Sequence, residues 1–201
     1  MTVDGERCGW CGTDPLYVDY HDHVWGRPVS DDHTLFEKLC LDGQQAGLSW
    51  ITILRKQASY EAAFDGFDAE KIVRYDQARI ESLLQNPGII RNRLKVESII
   101  RNARGFLAFR EQDESFSEFL WGFVGHRPAQ NAWPSMADVP VYTPEAEALS
   151  KALKKRGFNF VGPTIVYAFM QAVGMVNDHL DGCPMREPCA WMAEGLDFPV
   201  R

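Results

Sequence analysis

The 201-residue sequence predicts an all-α fold in a single domain, and three observations favour that class. Apolar residues recur at helical spacing along most of the chain, and side chains suited to N-caps precede several of these runs. The sequence lacks sustained alternation of apolar and polar residues, and it lacks an Asn-Gly turn between β-rich runs. Hydrophobic residues make up 45% and charged residues 24%, which is typical of a folded globular protein.

Five apolar runs in the first two thirds of the chain predict helices. Asp31 or Asp32 caps the first run and Asp68 the second, because a carboxylate at the N-cap accepts hydrogen bonds from otherwise free amides. The apolar positions are Leu35, Phe36, Leu39 and Cys40; Ile72 and Val73; Ile80, Leu83 and Leu84; Leu94, Ile99, Ile100 and Phe106 within 89–109; and Phe116, Phe119, Leu120 and Phe123.

Residues 143–174 predict a helix, a short hairpin and a second helix. Thr143 and Pro144 suit the start of the first helix, and Gly157 suits its left-handed end. The second helix begins after Gly162, so its first amides, near Thr164, could hold a DNA phosphate. The basic side chains of the preceding turn are Lys154, Lys155 and Arg156. The alternative is an ordinary αα-hairpin whose glycines only cap helices.

The charge distribution leaves a nucleic-acid partner open. The net charge is −7, yet six basic residues and one acidic residue lie between Arg91 and Arg110. A second basic cluster follows at 151–156. Such clusters are commonly solvated helix faces, but binding responds to the local field and not to the total charge.

Segment composition favours a cytoplasmic protein without a membrane partner, and we expect it to be a monomer. Residues 1–7 have neither the cationic nor the apolar stretch of a signal peptide, and no segment is long and apolar enough to span a bilayer. Five cysteines, an odd number, argue against a disulfide scaffold and indicate a reducing compartment.

Two Cys/His pairs near opposite ends of the chain are candidate metal ligands. Cys8 and His21 are separated by twelve residues, and His179 and Cys183 by three. Together they could form a closed Cys₂His₂ tetrahedron, which is the pattern of a structural zinc site. The spacing leaves Cys11, His23 and Cys189 as alternative ligands, and it also leaves the reading that the pairs are unrelated core or surface residues.

Several motifs in one collinear order resemble the 3-methyladenine DNA glycosylase I family. The likeness extends from about residue 8 to residue 183, whereas the tail 184–201 looks unrelated to it. The motifs are Cys8-Gly9-Trp10, Asp14-Pro15-Leu16-Tyr17, Tyr20-His21-Asp22, Trp25-Gly26, GQQAGLSW at 43–50, Gly88-Ile89-Ile90-Arg91, SKALKKRGF at 150–158 and Val176-Asn177-Asp178-His179.

The resemblance implies an architecture and a cofactor. It selects Cys8, His21, His179 and Cys183 as the ligands of one structural zinc ion that ties residues 8–26 to residues 176–183. It leaves Cys11, His23 and Cys189 without a ligand role. It also implies that the unit at 143–174 is the DNA-gripping helix-hairpin-helix of the glycosylase superfamily, contacting DNA through Lys154, Lys155, Arg156, Gly162 and Thr164.

The resemblance further implies excision of 3-methyladenine from double-stranded alkylated DNA. Asp42 and Tyr20 are the expected catalytic residues, and Trp50 is expected to stack under the flipped base. Trp10, Tyr17 and Trp25 are expected near it. Gly47 and Leu48 are the expected wedge that fills the gap left in the duplex.

Three positions depart from the related patterns. The family usually has Glu where this chain has Asp42, which shortens the side chain by one methylene and could weaken or alter base recognition. Thr164 stands where strand-cutting relatives carry a Schiff-base lysine, so no lyase step is expected. Asp178 is expected to orient the zinc ligand His179 rather than to act in catalysis.

Two other functions compete with this interpretation. A non-catalytic sensor of DNA damage could use the same scaffold, and the Asp42 substitution motivates that alternative. A zinc-dependent hydrolase is the other, but four protein ligands leave the metal no position for a reactive water.

Overall fold

The computed structural model describes residues 6–195, and this part of the chain is mainly helical. Residues 1–5, and 196–201 of the tail, lie outside the described residues. The helices are α1 (Pro15–His23), α2 (Asp32–Gln45), α3 (Trp50–Leu54), α4 (Gln57–Ala63), α5 (Ala69–Ile72), α6 (Gln77–Gln85), α7 (Arg93–Glu111), α8 (Phe116–Trp121), α9 (Pro144–Lys155), α10 (Pro163–Ala172) and α11 (Arg186–Glu194). Short 3-10 turns cover Gly9–Cys11, Asp65–Phe67 and Gly122–Val124. The predicted all-α class is confirmed.

Two neighbouring aspartates accept hydrogen bonds at the starts of two different helices. Asp31 caps α2, where its carboxylate accepts a hydrogen bond from the amide of Thr34 at 2.8 Å. Asp32 accepts instead from the amide of Ser117 at 2.7 Å, at the start of α8. The pair therefore joins α2 to α8. From the sequence alone, either aspartate could have been the cap of the one helix that follows them. Asp68 caps α5 as predicted.

The long helix α7 begins four residues later than position 89. Asn92 is its N-cap and accepts from the amide of Lys95 at 3.2 Å. The residues before it are held outside the helix, because the amide of Ile90 donates to the hydroxyl of Tyr60 at 3.0 Å. The predicted run at 116–123 is likewise divided: α8 ends at Trp121 and a 3-10 turn continues.

Helix α2 lies at the centre of the fold, where it packs against α3, α7, α8 and α10. The predicted apolar face is fully buried, including Leu35, Phe36 and Leu39. Phe36 stacks on Phe106 of α7 with ring centroids 4.7 Å apart. The C-terminal end of α2 therefore reaches a rigid position beside α3 and α10, where the candidate site lies.

The predicted two-helix unit is present as α9 and α10, which pack against each other. Thr143 caps α9, and Gly157 follows it with a φ of +87°. Ser150 secures the turn from inside, because its hydroxyl donates to the carbonyl of Val161 at 2.6 Å. Gly174 ends the unit two residues beyond α10 with a φ of +71°.

Several elements were not predicted from the sequence, among them α1, α3, α4, α11 and two short strands. Strands β1 (Ala129–Gln130) and β2 (Val176–Asn177) form a parallel pair, and two residues each are too few to show an alternating pattern. The tail contains α11, which packs beside β2 and buries Cys189. Across residues 6–195, no helix has the length and apolar character needed to cross a bilayer.

Candidate active site and metal cluster

A cleft lies between α1, the C-terminal half of α2, α3 and α10, and its empty space together with the adjoining open solvent is about 440 Å³. All six side chains predicted for the pocket line it. Four further lining residues were not identified from the sequence. The lining residues are Trp10, Tyr17, Tyr20, Trp25, Lys38, Asp42, Gln45, Trp50, Ala168 and Ala172.

Aromatic rings form one wall of the cleft. The ring centroid of Trp10 lies 5.0 Å from that of Tyr17 and 5.0 Å from that of Trp25, both in edge-to-face contact. Tyr20 lies 5.5 Å from Trp50 in a tilted arrangement. Such contacts hold the rings in fixed orientations, so the wall offers a flat ligand a preformed surface.

Asp42 lies at the bottom of the cleft with 1% of the residue exposed. Its Oδ1 accepts from Lys38 Nζ at 2.5 Å, whereas its Oδ2 is buried without a hydrogen-bond partner among the described residues. The Lys38 nitrogen also lies 4.0 Å from the centroid of the Trp50 ring. Burial raises the pKa of Asp42 and lowers that of Lys38, and in each case the charge of the partner opposes the shift.

Tyr20 contributes a neutral hydroxyl to the cleft. Burial is the main cause that raises its pKa well above the ordinary value, and the nearby charge of Asp42 adds to the effect. The phenol therefore keeps its proton near neutral pH, so it can donate a hydrogen bond to a ligand.

Lys95 fixes the loop after α2 through hydrogen bonds to its main chain. Its ammonium is buried and donates to the carbonyls of Gln44 and Ala46, each at 2.7 Å. Gly47 adopts a φ of +76°, and Leu48 beside it is 40% exposed. The structure thus presents an apolar tip on a fixed loop at the predicted wedge. Lys95 belongs to the basic segment 91–110, but its charge is bound within the protein. Arg93 and Arg110 of the same segment pair with glutamates.

The four predicted metal ligands meet in one buried cluster. The ligating atoms of Cys8, His21, His179 and Cys183 all lie within 4.8 Å of one another, so the group could hold a metal ion. The pair at 179 and 183 lies in a turn and not on a helix. Hydrogen bonds from Cys8, His179 and His21 lower the pKa of the Cys183 thiol and favour its thiolate.

The alternative ligands lie outside this group. Cys11 donates its thiol hydrogen to the carbonyl of Cys8 at 3.2 Å. His23 is exposed and pairs with Asp19. Cys189 is buried beside Gly26 and is not one of the four clustered residues.

The residue that orients a cluster ligand is Asp22, and the expectation for Asp178 was wrong. Asp22 Oδ1 lies 2.8 Å from His21 Nδ1, which leaves Nε2 of that ring facing the cluster. Two nitrogens of Arg7 bind the same carboxylate at 2.8–3.1 Å. The Arg7 hydrogen bonds, followed by that of His21, lower the pKa of Asp22 to about 2.

Asp178 instead closes a separate polar network, and none of its hydrogen bonds involves His179. Its Oδ1 accepts from Asn131 at 2.7 Å and Trp133 at 2.9 Å, and its Oδ2 accepts from Tyr167 at 2.5 Å and Gln171 at 2.8 Å. The carboxylate therefore connects α10 to the segment after β1.

The predicted DNA-contacting residues separate into two groups. Lys154, Lys155 and Thr164 are exposed, and Gly162 is half-buried at the N-cap of α10. Arg156 turns away, pairing with Glu114 at 2.7 Å and lying 4.5 Å over the ring of Phe109. Its charge is thus already engaged within the protein.

Comparison with known proteins identifies the family of this arrangement. The model of the methyladenine glycosylase family matches residues 10–187. A DNA-3-methyladenine glycosylase of Haemophilus influenzae is 52% identical over 180 residues, which cover 90% of this chain and 97% of that protein. A crystal structure of 3-methyladenine DNA glycosylase I superposes with a TM-score of 0.88 at 53% identity, covering 89% of this chain and 98% of the other. A variant crystallised with 3-methyladenine gives 0.86 at 40% identity, covering 89% and 96%.

Proposed function

The chain belongs to the methyladenine glycosylase family, and on that basis we propose that it excises 3-methyladenine from alkylated DNA by hydrolysing the N-glycosidic bond. It is a DNA-repair glycosylase. The observation that carries this function is the aromatic cleft with a buried carboxylate, Asp42, at its base. A base within the duplex cannot reach that carboxylate, so it has to be extruded first.

The chemical step asks the cleft to bind a cation. Methylation at N3 gives the adenine a positive charge in DNA, so the base leaves without prior protonation. Trp50 offers a stacking surface, worth about 1–3 kcal/mol per base. The Oδ2 atom of Asp42, which lacks a partner in the described residues, can accept a hydrogen bond from the base. Tyr20 can donate another.

DNA binding is assigned to the start of α10 and the wedge loop. Gly162 leaves the first amides of α10 without a side-chain cap, and the exposed Lys154 and Lys155 lie in the last turn of the preceding helix. Backbone amides and lysines together suit a duplex phosphate. Leu48 is the apolar side chain that enters the base stack.

The reaction ends at base removal. Thr164 cannot form the Schiff base that strand cleavage requires. The borohydride experiment below tests whether Lys38, the lysine that lines the cleft and pairs with Asp42 in the free protein, forms such an adduct.

Release of free 3-methyladenine from methylated duplex DNA, followed by chromatography, tests the function. We expect release by the wild-type protein and a rate about 100-fold lower for Asp42→Asn, because removal of one electrostatic contact at a reacting centre has an effect of that order. The exposed Asp19→Asn is the matched control and should keep the wild-type rate. Binding of methylated DNA without base release would instead support the damage-sensor alternative. Covalent trapping by borohydride would contradict the absence of a lyase step.

The metal is proposed to be one structural zinc ion, and the donor geometry fits it. Zinc–sulfur bonds of about 2.3 Å and zinc–nitrogen bonds of about 2.0 Å place tetrahedral sulfur and nitrogen donors roughly 3.5 Å apart. The corresponding distances are 3.7 Å from Cys8 Sγ to His179 Nδ1, and 3.4 and 3.5 Å from Cys183 Sγ to His179 Nδ1 and His21 Nε2. Bound there, zinc would hold the chain segments together. All four positions would be filled by protein, so the cluster has no place for a reacting water.

Metal analysis of the purified protein tests this assignment. We expect one zinc per chain, its loss in Cys183→Ala, and a lower melting temperature in that variant. Cys11→Ala is the control, because Cys11 is buried beside the cluster without belonging to it. Full zinc content in Cys183→Ala would overturn the ligand set.

The five unpaired cysteines also support a cytoplasmic location for the protein.

A further inference from the structure

Lys38 places a positive charge where a cationic base has to bind. It lies on α2 one turn before Asp42, and only 14% of its side chain is exposed. Its ammonium bonds Asp42 Oδ1 at 2.5 Å and lies 4.0 Å from the ring centroid of Trp50. A carboxylate and an indole face are the same two features that would recognise a flat cation.

The ammonium and a stacked base exclude each other from this position. A ring stacked on Trp50 would lie about as far from the indole as Lys38 Nζ does, because aromatic rings pack with centroids about 4.5 Å or more apart when offset. Two positive charges beside one carboxylate also repel strongly in a buried setting. The cleft therefore holds the ammonium or the cationic base on Trp50, and not both.

Two polar atoms of residues that line the cleft have no hydrogen bond to Lys38 or to another described residue, which indicates that the site takes a further ligand. Asp42 Oδ2 and Trp50 Nε1 are both buried without a hydrogen-bond partner among the described residues. Leaving such atoms unpaired costs about 1–3 kcal/mol each. The Lys38 pair thus satisfies only part of the site.

We propose that Lys38 acts as an internal competitor for the base position and so limits how tightly the cleft holds a cationic base. Its ammonium occupies Asp42 and the face of Trp50 in the free protein, and it has to swing away on its flexible stem before an extruded purine can stack. This inference rests on the proposed function, since it takes the occupant to be an N3-methylated adenine.

The competition requires the same displacement of Lys38 whichever base binds. A neutral adenine that displaces Lys38 leaves the ammonium without its carboxylate and gains no charge pair in return. A cationic purine replaces one positive partner of Asp42 by another. Lys38 therefore lowers the affinity for both bases, its displaced ammonium repels only the cation, and Asp42 is the group that favours the cation.

Titration with two matched small ligands tests the proposal. The cationic probe is 3,9-dimethyladeninium, whose 9-methyl group stands for the sugar, and the neutral probe is 9-methyladenine. In Lys38→Met we expect the cationic probe to bind at least tenfold more tightly than to the wild type. The neutral probe should gain less, because both probes are spared the displacement of Lys38 but only the cation is also spared its repulsion. Lys38→Arg keeps the positive charge and should retain weak binding.

The controls separate competition from other roles. Lys71→Met removes an exposed lysine that pairs with Asp68 and should change neither affinity. Lys38→Gln, also neutral, repeats the test if Lys38→Met does not fold. Unchanged or weaker binding of the cation in the folded neutral variant would overturn the proposal and make Lys38 a support for Asp42. Base release from methylated DNA by the wild type is measured in parallel, so failure of the glycosylase function would be recognised separately.

Discussion

Asn102 of α7 and Asn159 of the α9–α10 turn exchange two hydrogen bonds. The main-chain amide of Asn159 donates to Asn102 Oδ1 at 2.7 Å, and Asn102 Nδ2 donates to the carbonyl of Asn159 at 3.2 Å. Asn102 is buried, so these bonds are shielded from water. One side-chain amide therefore fixes the turn of the proposed DNA-binding unit to the longest helix of the fold.

Asn102→Asp should loosen that turn. The carboxylate still accepts from the amide of Asn159 but can no longer donate to its carbonyl, which leaves two buried acceptors facing each other. We expect the free energy of unfolding to fall by about 2 kcal/mol, measured by urea titration. Affinity for duplex DNA should fall with it. Asn159→Ala is the control, because both bonds use the main chain of Asn159. A variant Asn102→Asp as stable as the wild type would show that the pair does not hold the turn.

Asp178→Asn should reduce stability without reducing the rate of base release per folded molecule. The carboxylate accepts four hydrogen bonds, including those of Tyr167 and Gln171 from α10. An amide turns one acceptor atom into a donor that faces other donors, at a cost of about 2–3 kcal/mol. Thermal melting and single-turnover kinetics measure the two effects. A rate loss of about 100-fold in a protein of normal stability would assign Asp178 to the reaction instead.

Gly174→Ala should cost more stability than Gly157→Ala. Both glycines have positive φ, +71° and +87°, where an added Cβ costs about 1 kcal/mol or slightly more. At Gly174 the new carbon would also lie 2.5 Å from main-chain atoms of Arg27 and Pro28, whereas Gly157 faces open space. Overpacking adds about 1–3 kcal/mol. Equal losses in urea titrations of the two variants would contradict this steric account.

Tyr60 should make the stability of the protein depend on alkaline pH. Burial raises its pKa to about 12, from an ordinary value of about 10. Because the folded-state pKa is the higher one, the stabilisation is complete below about pH 10 and is lost as the pH rises towards 12.

Comparison with Tyr60→Phe isolates this effect. The phenol accepts from the amide of Ile90 and donates to Gln44, so its removal should cost about 1 kcal/mol at pH 8. At pH 11 the difference from the wild type should shrink towards zero. Tyr142→Phe, at an exposed tyrosine, should behave like the wild type at both pH values. A difference between Tyr60→Phe and the wild type that stays constant with pH would rule out the titration.

Local chemistry made much of the fold predictable. Asp31, Thr143 and Gly157 act on amides and carbonyls within a few residues, so their roles are visible in short stretches of sequence. Spacing also suggested the two ligand pairs, although the choice among competing cysteines and histidines came from resemblance. The four side chains meet because α1 and the turn after β2 are brought together by the whole fold.

The errors and omissions share a physical cause. Lys38 and Asp42 have the spacing of a solvated ion pair on a helix. In the folded protein, residues of other elements, including Trp50 and α10, surround this face of α2 and bury it. Asp178 adjoins His179 in sequence, but its carboxylate is surrounded by donors from α10 and from the segment after β1. Asp178 binds Tyr167 instead, whereas Asp22 binds a different cluster ligand, His21. The surroundings of these side chains are set by packing between residues far apart in the sequence, which the spacing of apolar residues does not reveal.

The metal cluster has a consequence for how the molecule is made. Cys8 is translated 171 residues before His179, and the ring of Trp25, which lines the cleft, lies 4.6 Å from that histidine. A growing chain on the ribosome cannot assemble the cluster until His179 and Cys183 have emerged. An interrupted translation product would therefore lack the histidine ring that packs against Trp25, so this support of the cleft is completed late in synthesis.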